Sequence, residues 1–307
     1  MKVLVFDPGY GDVKYAVVDI EAGKWTLGKF PTLVSPAGKS VDLGDESKEI
    51  FWAGRKWLVG REAAIAGRTI PTTTEGFLET YLPLLLGKAL TEAATDGVDE
   101  VVVAVSIYDW TRRKRLEEVS AKVVLQDRKY EHQVRTVPQG YGIWLEALAP
   151  EDGIVIDIGF RTVDVLSFAE GKPEGRHSFG IAGLGVVDFV AEVAGLLSEK
   201  AKVEFTPGEV VHFLQAKNGV IQRFGVEEEL RVRAEEWSGR LWSRLVARED
   251  FKRVLALKDR VVVAGGGALF FREPEDGFPC RMIVLKEAPE FANVRGIANW
   301  ILQEAGL

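Results

Sequence analysis

The chain has 307 residues, enough for one large or two smaller cored domains. Hydrophobic residues make up 47% and charged residues 28%, the balance of a folded globular protein and not of a disordered one. With 39 basic and 46 acidic residues the formal net charge is −7, which speaks against broad nonspecific binding to nucleic acid.

The first segment, Val3–Phe6, is a buried apolar run that ends in Asp7, with a turn marked by Gly9 and Gly11. Lys14–Asp19 returns as a second strand and Lys24–Phe30 continues as a third. The β-branched residues after Gly11 predict a hairpin, so a dinucleotide fingerprint, which needs a helix there, fits poorly. Residues 31–75 read as a smaller insertion, with short strands at Glu49–Trp52 and Arg55–Val59 and a short helix at Glu62–Ala66. Then come a helix over Phe77–Ala94, a buried strand over Val98–Val105 and a charged amphipathic helix over Arg112–Leu125. Within it, Thr111–Arg115 is either a solvated helix start or a basic contact for a charged partner. A strand at His132–Val137 and a helix at Tyr141–Leu148 close the first half.

The pattern restarts at Gly153. Ile154–Asp157, Thr162–Phe168 and Gly175–Gly180 predict a three-strand meander, followed by helices over 186–197, 207–217 and 226–245. Val261–Ala264 is a parallel-type strand, Met282–Val284 another, and Asn293–Glu304 the last helix. Strand, strand, strand, helix thus occurs twice, which predicts a duplicated α/β domain. Cys280 is the only cysteine, so no intramolecular disulfide can form, and with no signal-peptide pattern a reducing cytoplasm is expected. No apolar run reaches 18 residues, so no membrane span is expected.

Asp7 and Asp157 each end an apolar strand just before a glycine turn, where an open α/β sheet presents functional groups. Glycine at 9, 11 and 159 lets backbone N–H groups approach phosphate oxygens. Two such turns could clamp a polyphosphate, with Mg²⁺ relieving repulsion between carboxylates and phosphates. Lys14 could reach back to phosphate charge, and Asp164 could complete the metal's water shell. Gln139, between a strand and a helix, can orient water without being a strong base, and Glu146 competes for that role. Gly180–Gly185, with Gly183 at its centre, adds a glycine-rich helix start, and Gly265–Gly266–Gly267–Ala268 leaves room for a flat ring or a ribose. Three histidines and one cysteine lack zinc-ligand spacing, and neither a P-loop nor a nucleophile elbow is present.

Taken together, "FDPGYGDVKYAV", "VIDIGFRTVDVLSF" and "VVVAGGGALFF" resemble the two phosphate loops and the adenosine segment of the actin, Hsp70 and sugar-kinase superfamily. "VPQGYGIW" and "FANVRGIANWI" resemble its connecting helices. "KFPT", "WLVGREA" and "FANVRGIANW" are closest to the prokaryotic plasmid-partition branch, the ParM type and its archaeal relatives. The resemblance implies an actin-like ATPase fold: two duplicated domains of ribonuclease H-like topology flanking a nucleotide cleft. The first domain would span 1–150, with the insertion at 31–75 and the C-terminal helix 291–307 completing it; the second would span 151–290. It also implies ATP or ADP with Mg²⁺, GTP remaining open, held by residues 9–11, Lys14, 159–162, Gly183 and 265–268. Asp7, Asp157 and Gln139 would serve metal, phosphate and water. Filaments that assemble with nucleotide and come apart after hydrolysis would follow, with an adaptor linking them to DNA or other cargo. Tyr10 stands where many members have a small or hydroxyl residue and Phe160, followed by Arg161, where the second loop often has a glycine; these bulky groups would narrow the site or tune its contacts, leaving nucleotide preference and hydrolysis rate open. The polar segment Pro36–Glu49 is a filament contact or a plain surface loop. A small-molecule kinase of the same superfamily, or a regulatory ATPase that does not polymerise, is the alternative.

Overall fold

The computed structural model describes residues 1–38, 49–66, 69–93, 97–125, 128–216, 223–273 and 280–307. Residues 39–48 of the polar segment Pro36–Glu49 lie outside the described residues. The chain divides into two compact units, Met1–Leu145 with Asn293–Leu307, and Glu146–Ala292.

The first unit opens with β1 (Lys2–Pro8), β2 (Asp12–Asp19) and β3 (Lys24–Pro31), followed by β4 (Val34–Pro36), β5 (Ile50–Trp52), β6 (Arg55–Val59) and α1 (Arg61–Ala66). Then come α2 (Phe77–Glu92), β7 (Glu100–Val105), a 3-10 segment (Ile107–Arg112), α3 (Arg113–Ser120), β8 (Lys122–Leu125), β9 (Arg128–Glu131), β10 (Gln133–Pro138) and α4 (Tyr141–Ala147). The main sheet runs β10-β7-β1-β2-β3. β1 pairs antiparallel with β2 and parallel with β7. Val3–Phe6 and Val101–Val105 are buried throughout, as expected for strands covered on both faces.

The second unit contains β11 (Gly153–Ile158), β12 (Thr162–Ala169), β13 (Lys172–Pro173), β14 (Phe179–Ala182), α5 (Val187–Ala201), α6 (Pro207–Ala216), α7 (Glu227–Val246), α8 (Glu249–Leu257), β15 (Arg260–Ala264) and β16 (Arg281–Val284). β11 pairs antiparallel with β12 and parallel with β15, which continues to β16. An antiparallel meander followed by two parallel strands therefore occurs in each unit, and the predicted duplication is present in the pairing itself. α7 buries Ala234, Trp237, Leu241 and Leu245 along one stripe, the helical spacing of an apolar face.

Two predicted elements differ. The helix predicted to reach Leu125 stops at Ser120. The alternating Lys122–Leu125 points Val123 and Leu125 inward and pairs with β9, and β-branched valines favour that strand. The strand predicted at Gly175–Gly180 begins only at Phe179. Gly175–His177 is a 3-10 turn, and the Ser178 hydroxyl donates to the Glu174 carbonyl across it.

The last helix, α9 (Ala292–Glu304), crosses α4 within the first unit at glycine on both sides. A Cβ on Gly142 would overlap the Asn293 carbonyl, and one on Gly296 would overlap the Gly142 carbonyl. Both obstacles are backbone, which cannot swing aside as a side chain can. Gly296→Ala is therefore expected to destabilise the protein by about 1–3 kcal/mol through overpacking. Gly195→Ala on α5, where no atom lies within 4 Å of the new methyl, should instead stabilise by about 0.5–1 kcal/mol. Urea unfolding of the two variants measures the opposite signs.

Candidate functional site

In the first unit the candidate site residues are placed by β1 and β2. Their register places Asp7 opposite Lys14, and that of β11 and β12 places Asp157 opposite Asp164. The offset is the same in both units (7 to 14, 157 to 164), so each strand–turn–strand presents its acidic residue beside one partner. In the first unit that partner is a cation, and in the second a further carboxylate.

Asp7 is 4% exposed. Gln139 Nε2 donates to its Oδ1 at 2.5 Å, and Asn293 Nδ2 lies 3.4 Å from its Oδ2. A carboxylate only accepts hydrogen bonds, so the Gln139 amide must turn its NH₂ toward Asp7, leaving Oε1 for another donor. Gln139 itself is fixed at the end of β10, where its N–H donates to the Val105 carbonyl. Asn293 Oδ1 accepts from the N–H groups of Gly140 and Gly142, at 3.2 and 3.0 Å. One buried amide thus caps the start of α4 and faces Asp7. Lys14 curls back over the turn: a Cβ at Gly9 would lie 2.7 Å from its Nζ. Thr32, fully buried, donates through Oγ1 to the Gly9 carbonyl at 2.5 Å and through N–H to Gly11 at 2.9 Å.

In the second unit Asp157 and Asp164 are 9% and 1% exposed. Like charges directly opposed in an antiparallel pair are unfavourable unless a cation or donors compensate. Gly159 N–H donates to the Thr162 carbonyl, as Gly9 N–H donates to Asp7, so each of these glycines uses its own donor to close its turn. The segment after β14 braces the second turn. Gly183 and Gly185 donate to the Arg161 carbonyl, Val186 to Gly159 and Val187 to Phe160. The N–H of Gly183, expected to face a ligand, is thus engaged inside the fold. Among residues 265–267 the glycines differ. At Gly265 (φ +81°) a Cβ would strike the Asp157 carboxylate, and at Gly267 it would strike the Ile158 and Val186 side chains. Only Gly266 would take a Cβ without a clash, its nearest neighbour being Glu290 at 4.0 Å in ordinary contact. Ala268 is fully buried, and Lys286 Nζ donates to its carbonyl and to that of Phe271, at 2.8 and 3.0 Å. Burial, with Arg272 nearby, lowers the Lys286 pKa below the usual lysine range.

Asn293, Thr32 and Lys286 escaped the sequence reading as site residues. Asn293 carried one signal, a polar residue in the first turn of a helix whose buried stripe is otherwise apolar. The rings of Tyr10 and Phe160 are partly buried and pack against the cores of their own units. Among the described residues no group of three or more His, Cys, Asp and Glu side chains gathers into a metal cage, and no helix is long and apolar enough to cross a membrane.

The family model described as the actin-like proteins N-terminal domain matches residues 6–142. That of the archaeal MreB-like actin homologue, C-terminal, matches residues 155–274. No curated protein matches the chain. Among solved structures it is similar to a ParM filament from Clostridium botulinum, with 16% identity, 98% of this chain and 99% of that chain covered, and a TM-score of 0.68. An archaeal actin homologue, Ta0583, in complex with ADP has 20% identity over 99% of this chain and 100% of its own, with a TM-score of 0.68. ParM from Bacillus thuringiensis with ATP has 16% identity, covers 100% of both chains and gives a TM-score of 0.67. The fold is the actin-like fold.

Asn293→Asp keeps an acceptor for the Gly140 and Gly142 N–H groups but sets a second carboxylate against Asp7. The variant is expected to lose about 2–3 kcal/mol at pH 7, as a buried acceptor loses its donor and meets a like charge. The deficit should shrink between pH 7 and pH 4, as the facing carboxylates come to share a proton that relieves their repulsion and restores a donor. Urea midpoints at the two pH values test this.

Proposed function

We propose that this chain, which belongs to the actin-like proteins of prokaryotes, is a cytoplasmic ATPase that assembles into dynamic filaments. The observation that carries the reading is the repeated turn: a buried Asp at the end of a strand, a glycine turn, and a return strand at the same offset in both units. The solved ParM and archaeal actin homologue structures with ATP or ADP support a nucleotide as the ligand. The ParM filament supports self-assembly. GTP is a second nucleotide to test. DNA segregation, or another cytoskeletal task reached through an adaptor, is the role the ParM likeness favours.

In this reading the phosphates take backbone N–H groups further round each turn, at Gly11 and Phe160, since Gly9 and Gly159 close the turns themselves. Lys14, already folded over Gly9, contributes positive charge to the phosphates. Gly266, where an added Cβ would clash with nothing, offers backbone surface for the nucleoside. Asp7, Asp157 and Asp164 would hold Mg²⁺ through its waters, and the ion would neutralise phosphate charge. The buried, opposed pair Asp157 and Asp164 suits such a cation. Gln139, its NH₂ committed to Asp7, presents Oε1 to a water and orients it for in-line attack without deprotonating it fully.

Light scattering and sedimentation, run beside phosphate release after adding Mg-ATP and then Mg-GTP, test the whole reading. Scattering that rises with nucleotide and decays as phosphate appears is expected. Gln139→Ala should lower turnover roughly 100-fold while nucleotide affinity changes little, because its interaction belongs to the transition state. Asp157→Ala should nearly abolish turnover. Retained turnover in Asp157→Ala would remove that residue from the mechanism, and no nucleotide binding at all would overturn the reading.

A further inference from the structure

One side chain of the first turn has no part in the phosphate reading. Tyr10 stands between Gly9 and Gly11, its ring packs on the core of the first unit, and its hydroxyl donates to Asp109 Oδ2 at 2.8 Å. Asp109 lies in the first turn of the 3-10 segment Ile107–Arg112 and is 3% exposed. Ser106 caps that segment, its Oγ accepting from the Tyr108 N–H at 3.1 Å. Arg112 Nη1 stands 3.8 Å from Asp109 Oδ1, and its Nε stands 3.4 Å from Glu79 Oε1 in the first turn of α2. The contacts run from the turn, through a buried carboxylate, to an arginine at the head of the basic run that the function left unused. The hollow among Tyr10, Phe77, Glu79, Asp109 and Arg112 measures about 10 Å³, room for a single water. It is too small for a ligand, so these residues form a connection and not a pocket.

A buried carboxylate is costly unless donors hold it. Displacing the turn by an ångström would carry the Tyr10 hydroxyl beyond hydrogen-bond range of Asp109. We propose that Tyr10 is a positioning residue through which phosphate occupancy of the β1–β2 turn reaches Asp109 and the surface segment Arg112–Arg115. The inference rests on the nucleotide reading above. Phosphates order the turn, the turn fixes the hydroxyl, and the hydroxyl fixes the carboxylate that anchors Arg112. By linkage, a partner that engages Arg112 shifts nucleotide affinity by the same factor in return.

Hydrogen exchange read by mass spectrometry, with and without Mg-ATP, tests this in the full chain, in Tyr10→Phe and in Asp109→Asn. Tyr10→Phe keeps the ring and removes only the hydroxyl. In the unaltered protein nucleotide should slow exchange both in the turn, residues 9–13, and in residues 106–113. In Tyr10→Phe the turn should still be protected, while residues 106–113 exchange as they do without nucleotide. Affinity for a fluorescent ATP analogue should fall about five-fold. Asp109→Asn should give the same split, and the double variant should lose no more than either single one. Equal nucleotide-dependent protection of residues 106–113 with and without the hydroxyl would overturn the proposal. So would a uniform rise in exchange that leaves the nucleotide-dependent difference intact, the mark of a merely structural role. No protection at residues 9–13 or 159–162, together with no measurable analogue binding, would sink the nucleotide reading itself and the proposal with it.

Discussion

A carboxylate buried at the end of β1 organises much of the first unit. Asp7 needs donors, and the two amides that face it come from far along the chain, Gln139 after β10 and Asn293 in α9. Asn293 can reach it only because α9 and α4 cross at glycine, with backbone against backbone at Gly142 and Gly296. The same amide takes the N–H groups that open α4. A side-chain requirement at residue 7 is thus met by a helix-packing arrangement near residue 296. That explains why the C-terminal helix completes the first unit and not the second.

The second unit arranges its own carboxylates differently. Asp157 faces Asp164 across the strand pair where Asp7 faces Lys14. Gly265 passes so close to Asp157 that no side chain fits, and the glycine segment after β14 supplies N–H groups to the carbonyls of the turn. The duplicated scaffold has therefore diverged in charge. One turn is arranged with a lysine folded over it, the other with two carboxylates.

Much of this was legible in the sequence because it rests on local pattern. Apolar runs that stop at Asp7 and Asp157, glycine two places on and β-branched return strands predict the hairpins and their duplication without reference to tertiary contacts. The elements that were misread fail for identifiable reasons. Lys122–Leu125 carries charge and alternation at once, so helical charge patterning upstream masks a strand. Gly175–Gly180 contains a polar turn that a glycine-bounded window hides. Of the site, the residues on the turns were readable, whereas Asn293, Thr32 and Lys286 were not, because each acts through a contact with a distant backbone or carboxylate. The glycines at 265–267 were readable as a cluster, but not in their division of labour. Two of the three leave room for the protein itself and only Gly266 for anything else.

The aromatic residues at positions 10 and 160 occupy matching places in the two units. Each stands in the middle of its turn, where bulk would be expected to crowd a phosphate. Each packs its ring against its own unit's core. A glycine turn is conformationally loose, and a partly buried aromatic in its middle offsets that looseness by fixing one peptide. The rings are equivalent as anchors, but the hydroxyl is not shared. Only the first turn carries one, and only there does a buried carboxylate, Asp109, receive it. If anchoring were all that position 10 did, phenylalanine would suffice there as it does at 160. The added oxygen ties the turn to a charged segment outside it, which is where divergence between two copies of one scaffold leaves a function that neither anchoring nor phosphate binding requires.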